Sequence, residues 1–201
     1  MDGIPAVRHL RDVGKDYSGI RVIRKTIGKS GNPMKEDAFL PDRETIQFVA
    51  FELADEIYCA YLDAVQEVIR FSEITRVPRA ASFVEGVINL RGFVIPIVDM
   101  RKRFGLGQVE RTKSARIIIL EIDDSIVGAA VDRVRDVINV PTDDIEPPSP
   151  IIRNTVKTDY LEGFFEYGED LAKVLDLKKI FSGRELDRIR EFEEPESEVL
   201  A

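Results

Sequence analysis

The sequence predicts a mainly β (all-β) fold of two small β-barrels packed together, with short helices between strands and a helix at the C-terminus. Two observations predict it. Runs of apolar and aromatic residues recur about every ten residues and are separated by polar turn residues, a spacing typical of small β-barrels. The chain also repeats its own pattern at an offset of about 69 residues. At 201 residues it is short for two large domains, which favours two closely packed subdomains.

The repeat relates residues 52–69 to residues 121–138. Eight positions are identical and in register: Glu, Asp, Ile, Ala, Asp, Val, Val and Ile. Each copy begins with an apolar strand, passes through a polar turn such as Ala54-Asp55-Glu56, and continues into a second and a third strand. A match over 18 residues indicates two copies of one supersecondary unit. We therefore expect two barrels related by an approximate twofold axis.

The folded part is expected over residues 45–181. Residues 1–44 mix basic and acidic residues with scattered Gly, Pro and Ser, which predicts a mostly flexible extension. Within it, residues 20–27 form a short apolar and basic run that is able to pair as a strand or dock on a partner. The strands are expected to begin at Thr45, and residues 71–81 to form a connection.

The second half should follow the same plan. Residues 99–104 are expected to form a single helical turn that ends at Gly105. The second copy covers about residues 115–140, and closing strands are expected at residues 160–165 and 171–175. A helix should begin near Asp176. Residues 182–201 are expected to form a C-terminal helix, which restarts with Ser182 and Glu185 as a capping box, and an acidic tail that frays.

The charge balance excludes several classes of partner. The chain has 29 Lys and Arg against 37 Asp and Glu, for a net charge of −8. Such a surface repels nucleic acid and anionic lipid. No apolar run approaches the roughly 20 residues that span a bilayer, and the N-terminus lacks the apolar core of a signal peptide, so no membrane insertion and a cytoplasmic location are expected. The single cysteine, Cys59, lies on an apolar strand and should be reduced and buried.

Enzymatic patterns do not fit this sequence. The one histidine, His9, lies in the extension, so the folded part contains no Ser-His-Asp, Cys-His or zinc constellation. Gly28-Lys29-Ser30 resembles the end of a phosphate-binding loop, but the earlier glycine is replaced by Ile23. Carboxylates are plentiful, so residue counts alone leave a paired-carboxylate hydrolase open, although most carboxylates fall at turn and surface positions. We expect no enzymatic activity and no cofactor.

Surface contact is the more plausible way for this chain to act. Alternation along residues 64–69 places Val65, Glu67 and Ile69 on one face of a strand. The repeat places three further residues on the corresponding face: Val134, Asp136 and Ile138. A carboxylate between apolar neighbours is costly to bury unpaired, so this face is a candidate partner-binding groove. The alternative is that each carboxylate lies at a bulge or pairs with an arginine while its neighbours complete the core.

Residues 86–104 carry the most specific motif in the chain. Gly86 and Gly92 mark a tight turn or a close backbone approach, and Pro96 marks an edge or bulge position within a strand. The segment resembles the signature of the CheW family of bacterial chemotaxis coupling proteins, Gly-Val-x-Asn-Leu-Arg-Gly-x-x-x-Pro-x-x-Asp-Leu-Arg. Met100 stands where Leu is usual. The resemblance extends from about Thr45 to about Phe181, roughly two-thirds of the chain.

This resemblance implies two SH3-like subdomains and a non-catalytic adaptor. Its partners would be the cytoplasmic tip of chemoreceptors and the regulatory domain of a CheA-type histidine kinase. Receptor contacts carried over by motif are Val65, Glu67, Gly86, Arg91, Val137 and Gly163. Kinase contacts carried over are Ile74, Arg76 and Ile151.

Structural roles compete with some of these assignments. The guanidinium of Arg91 can bind a carboxylate or several carbonyls and so tie the two barrels together. Gly86 and Gly163 can equally be backbone requirements. The sequence is also compatible with two other functions. One is the same scaffold in a sensory pathway for pili or surface motility, and the other is a barrel domain that binds a small molecule between its two halves.

Overall fold

Ten β-strands and two short helices make up the described part of the chain. The computed structural model describes residues 44–123, 125–150 and 159–180. The strands are β1 (Thr45–Leu53), β2 (Glu56–Tyr61), β3 (Val65–Arg70), β4 (Val84–Leu90), β5 (Phe93–Asp99), β6 (Arg116–Ile122), β7 (Ser125–Val131), β8 (Arg133–Pro141), β9 (Leu161–Tyr167) and β10 (Asp170–Leu175). The helices are α1 (Met100–Phe104) and α2 (Leu177–Ile180), and two 3₁₀ turns lie at Leu62–Ala64 and Thr142–Asp144.

The strands form two five-stranded sheets. Sheet 1 has the order β8-β1-β2-β10-β9, and sheet 2 has the order β3-β6-β7-β5-β4. Neighbouring strands are antiparallel except for one parallel contact in each sheet, between β2 and β10 and between β5 and β7. The predicted mainly β fold with two SH3-like subdomains is therefore confirmed.

The two copies of the repeat exchange their third strands. β1, β2 and β3 form the first copy, and β6, β7 and β8 form the second. In the structure, however, β3 pairs with β6 and β8 pairs with β1. Each sheet thus takes two strands from one copy and a third from the other. Neither copy can complete a sheet alone, so the two subdomains are built as one cooperative unit.

The exchange places the longest apolar strands in the middle of the molecule, where both of their faces are buried. In β1, Val49, Phe51 and Leu53 point into a central core, whereas Phe48 and Ala50 point into the interior of sheet 1. In β6 the alternation is the same: Ile118, Leu120 and Ile122 join the central core, and Ile117 and Ile119 join the interior of sheet 2. Burial on both faces explains why these strands are continuous apolar runs.

A second internal repeat, at an offset of 77 residues, relates β4–β5–α1 to β9–β10–α2. The N–H of Asp99 donates to the carbonyl of Phe83, and the N–H of Asp176 donates to that of Tyr160. The carboxylates of Asp99 and Asp176 then accept N–H groups in the first turn of α1 and α2. Each copy therefore begins its short helix with the same aspartate cap.

Most expected elements after residue 45 are present. The helical turn at Met100–Phe104 ends at Gly105, whose φ of 72° is left-handed. The closing strands are β9 and β10, and α2 follows Asp176 directly. Cys59 is fully buried, and burial raises the pKa of its thiol. The predictions for residues 1–43 and for the C-terminal helix and tail at residues 182–201 lie outside the described residues.

The ion pair between Asp132 and Arg101 helps to connect the two sheets. The Asp132 carboxylate, between β7 and β8, accepts from Nε of Arg101 at 2.7 Å and from the backbone N–H of Ala54 at 2.7 Å. Arg101 lies on α1, which follows sheet 2, and Ala54 lies in the β1–β2 turn of sheet 1. The repeat offset makes Asp63 the counterpart of Asp132. Asp63 is exposed, and no described group hydrogen-bonds to its carboxylate.

We predict that Asp132→Ala lowers the free energy of unfolding by about 1–3 kcal/mol, because it leaves the Ala54 N–H and the Arg101 guanidinium without their acceptor. Asp63→Ala is the matched control and should stay within about 0.5 kcal/mol. Urea unfolding of the two variants and the wild type measures both values. Equal losses in the two variants would contradict a special role for Asp132.

Candidate partner-binding surface

Glu67 and Arg91, two of the predicted receptor contacts, form an ion pair on sheet 2. Nη2 of Arg91 lies 3.1 Å from Oε2 of Glu67. The Arg91 side chain is 47% exposed and that of Glu67 is 15% exposed. Glu67 is on β3, and Arg91 is in the turn after β4, so the pair links the two edge strands of one sheet. The suggestion that Arg91 ties the two subdomains together is therefore wrong.

Arg91 is held in place by a strained turn. Its φ is 55° and that of Gly92 is 91°, both in the left-handed region. The N–H of Gly92 donates to Oδ1 of Asn89 at 3.0 Å, which closes the turn. The turn presents the guanidinium toward Glu67 while leaving about half of its side chain accessible to a partner.

The expectation that Val65 shares a half-exposed face with Glu67 is wrong. A β-bulge interrupts β3: Val65 pairs with Leu120, but Glu67 pairs with Ile119, the very next residue of β6. Gln66 is thus an extra residue, and the alternation reverses across it. Val65, which is 1% exposed, and Val68 pack into the central core. Glu67 and Ile69 face the other side of the strand. This agrees with the alternative that the carboxylate lies at a bulge and pairs with an arginine.

The bulge recurs in the second copy. In β8, Val134 pairs with Phe51 and Val137 pairs with Val49, so two residues of β8 between these pairs oppose the single Ala50 of β1. Val134 and Val137 accordingly pack against the central core. The predicted shared face of Val134, Asp136 and Ile138 is wrong for the same reason, because Ile138 packs in the interior of sheet 1.

Asp136, the counterpart of Glu67, has a different partner. It accepts a hydrogen bond from the Tyr167 hydroxyl at 2.7 Å. Burial of the ring, together with this hydrogen bond to a carboxylate, raises the pKa of Tyr167. A neutral tyrosine here replaces the exposed cation of sheet 2. The two sheets therefore offer chemically different surfaces at equivalent positions.

Gly86 and Gly163 have backbone roles. They are related by the 77-residue offset, and both are buried. A Cβ at Gly86 would lie 2.1 Å from the carbonyl oxygen of Thr75, and its φ is 142°. A Cβ at Gly163 would lie 2.6 Å from Cγ2 of Ile145. Each glycine lets a neighbouring segment approach the strand closely, by bridges from Thr75 to Val87 and from Glu146 to Phe164.

The predicted contacts do not form one cluster. Glu67, Gly86 and Arg91 belong to sheet 2, whereas Val137 and Gly163 belong to sheet 1. Val65 and Val137, at 1% and 9% exposure, are parts of the central core. Only Glu67 and Arg91 are brought together at the surface by a direct contact between their side chains.

The predicted kinase contacts lie beside β4. Ile74 is half-buried and packs against the interior of sheet 2, and Arg76 is exposed. Thr75, between them, exchanges two backbone hydrogen bonds with Val87 of β4, both 2.8 Å long. Ile151 lies outside the described residues.

Sequence reasoning missed a groove on sheet 1. It has a volume of about 410 Å³ and lies between the edge strands β8 and β9. Buried apolar side chains line it, among them Ile138, Val140 and Phe165. Four carboxylates surround it, those of Asp143, Asp144, Glu146 and Glu166. We call this the acidic groove.

An exposed leucine extends the apolar lining of the acidic groove. Leu171 is 55% exposed, and its counterpart on sheet 2, Val94, is 43% exposed. The 77-residue offset relates the two positions. The sequence does carry a signal for this 77-residue repeat. A glycine is followed 13 residues later by an aspartate at Gly86 and Asp99, and again at Gly163 and Asp176.

Within the described ranges, no three His, Cys, Asp or Glu side chains are placed to hold a metal ion. No helix in that part of the chain is long and apolar enough to cross a membrane.

Comparison with known proteins gives a consistent match. The family model for the CheW-like domain matches residues 47–185, which include the Glu67–Arg91 pair and both sheets except for the first two residues of β1. The chain is 32% identical over 150 residues to "Chemotaxis protein CheW" of Treponema pallidum, a match that covers 73% of this chain and 88% of that one. It is 33% identical over 140 residues to the protein of the same name from Klebsiella aerogenes, with coverage of 70% and 84%.

A solved structure agrees with these relatives. The scaffolding protein TtCheW from Thermoanaerobacter tengcongensis has a TM-score of 0.64 and 37% sequence identity to this chain. The match covers 71% of this chain and 96% of that one. The likeness therefore includes nearly the whole of the solved scaffold.

We predict that Gly86→Ala lowers the free energy of unfolding by about 3 kcal/mol or more, because the new methyl would overlap the Thr75 carbonyl at a strained φ. Gly92→Ala is the control, since its φ is also positive but nothing lies within 4 Å of the added Cβ. It should cost only about 1 kcal/mol. Thermal melts separate the two, at about 2–4 °C per kcal/mol for a chain of this size.

We also predict opposite outcomes for the two positions that flank the bulge. Val65→Glu should destabilise the fold by more than about 4 kcal/mol, because it buries an unpaired carboxylate in the central core. Glu67→Gln should cost no more than about 1 kcal/mol, since it removes one partly exposed ion pair. Circular dichroism melts measure both. A stable Val65→Glu variant would show that Val65 does not lie in the core.

Proposed function

This chain belongs to the CheW family, and we propose that it is a non-catalytic adaptor that couples chemoreceptors to a CheA-type histidine kinase. In this proposal it binds the cytoplasmic tip of the receptors and the regulatory domain of the kinase, and works in the cytoplasm without a cofactor. The observation that carries the proposal is the Glu67–Arg91 pair, because two of the six receptor contacts carried over by motif form an ion pair at the surface, where the Arg91 side chain is 47% exposed.

The electrostatics of this pair suit a binding surface. Glu67 is mostly covered, whereas Arg91 keeps half of its side chain in solvent, so the guanidinium has donors left over for a partner. A guanidinium already held by one carboxylate loses less side-chain entropy when it binds a second acceptor. Ile69 and Leu90 are half-buried at this end of the sheet and add apolar area around the charges.

Kinase binding is proposed for the edge beside β4, through Ile74 and Arg76, with Ile151 at the other subdomain. Arg76 is exposed and adjoins the Thr75–Val87 bridge, so its position is set by backbone hydrogen bonds. In sheet 2, the receptor surface would then lie on β3 and the turn after β4, whereas the kinase surface would lie beside the middle of β4, at the Thr75–Val87 bridge. This separation would let both partners bind at once.

Coupling through such a body depends on rigidity. The exchanged third strands and the Asp132–Arg101 pair hold the two subdomains in one arrangement. A rigid adaptor sets the relative positions of its partners, so a change in one partner is felt as a change in the geometry available to the other.

We predict that Glu67→Arg and Arg91→Glu each weaken binding to a purified receptor cytoplasmic fragment by about thirtyfold or more, the scale of about 2 kcal/mol for a central charged contact. The double variant restores opposite charges and should restore stability but not binding. Titration calorimetry measures affinity, and melts of the same samples measure stability.

Two controls sharpen this test. The double variant Glu56→Lys with Lys173→Glu reverses an ion pair on sheet 1 and should bind receptor as the wild type does. Arg76→Glu should reduce binding to the kinase regulatory domain but leave receptor affinity unchanged. Wild-type receptor affinity in both single variants at the Glu67–Arg91 pair would refute this surface. ATP hydrolysis by the purified chain would refute a non-catalytic role.

A further inference from the structure

The acidic groove of sheet 1 has charge that the described residues leave unpaired. Asp143, Glu146 and Glu166 are exposed at its rim, and no described lysine or arginine forms an ion pair with any of them. The apolar residues Ile138, Val140 and Phe165 also line the groove, together with Leu171, which is 55% exposed. A suitable ligand therefore combines positive charge with apolar side chains.

The chain itself contains such a segment. Residues 20–27 read Ile-Arg-Val-Ile-Arg-Lys-Thr-Ile, with three cations and four aliphatic side chains. No carboxylate occurs between residues 17 and 34. In a chain with a net charge of −8, this is an unusually basic stretch. We propose that residues 20–27 bind in the acidic groove of the same molecule.

The path of the chain makes this contact short. Thr45, the first residue of β1, pairs with Pro141, which lines the groove. The carbonyl of Glu44 accepts from the backbone N–H of Thr142 at 3.0 Å, directly before the acidic Asp143. The chain therefore enters the fold beside the groove.

The linker is long enough to close this contact. The 16 residues between Ile27 and Glu44 can span at most about 53 Å, at about 3.3 Å per residue. That is several times the radius of gyration, about 13 Å, of a 100-residue domain. A tether of this length gives an effective concentration on the order of millimolar.

Charge distinguishes this groove from its counterpart on sheet 2. The equivalents of Glu146 and Glu166 there are Thr75 and Asn89, both uncharged. Arg76, next to Thr75, makes that edge basic. A basic segment is therefore attracted to sheet 1 and disfavoured at sheet 2. Any partner that uses the acidic groove must displace the segment.

Hydrogen exchange on the 201-residue chain tests the proposal and does not depend on the proposed function. In the variant Arg21→Glu/Arg24→Glu/Lys25→Glu, the backbone amides of residues 138–140 and 164–166 should exchange about tenfold faster than in the wild type. With an effective concentration of about 1 mM and a dissociation constant of about 0.1 mM, the segment is bound about 90% of the time. The groove is then open to exchange for only about one tenth of the time, which gives the tenfold difference. Adding a peptide of residues 17–30 to this variant should restore the protection.

The matched control is Arg8→Glu/Arg11→Glu/Lys15→Glu, which changes the charge of the extension equally but outside the segment. It should exchange like the wild type. Glu166→Lys should lose the protection without any change in the segment. Equal exchange in wild type and the first variant would overturn the proposal, as would equal effects of the two triple variants. Protection that rises with protein concentration would place the segment on a second copy and would also overturn it.

Discussion

Pairing between the two copies of the repeat is the constraint on which the rest of this molecule depends. β3 completes the sheet that contains β6, and β8 completes the sheet that contains β1. The same exchange puts β1 and β6 at the centre, where each is covered on both faces. The central core, the separate interiors of sheet 1 and sheet 2, and the fixed relation between the two sheets all follow from this exchange of strands.

The bulges in β3 and β8 are the local means by which a strand serves both copies. Each of these strands places its first apolar side chains in the central core and its later ones in the interior of the sheet that it joins. The extra residue at Gln66 lets Val65 and Val68 remain in the central core while Glu67 turns toward Arg91. The position of the candidate surface is therefore a consequence of how the strand crosses between cores.

Much of the fold could be predicted because its signals are local. The apolar runs of β1 and β6, the turn at Ala54-Asp55-Glu56 and the helical stop at Gly105 are read directly from residue types. Which strand pairs with which is a long-range choice with no local signal, and strict alternation predicted the wrong face for Val65 because a bulge adds a residue without changing composition. The acidic groove was missed because its carboxylates, Asp143 and Glu166, are far apart in the sequence.

The exchange also bears on how such a chain could arise. A half-length protein with one copy would have a third strand but no sheet of its own to receive it. Two such halves would satisfy each other by swapping that strand, which makes a symmetric dimer, a low-cost route to association. Joined end to end, they become one polypeptide whose halves are free to diverge. The matching carboxylates of Glu67 and Asp136 show such a difference between the halves, because one is paired with an arginine and the other with a tyrosine.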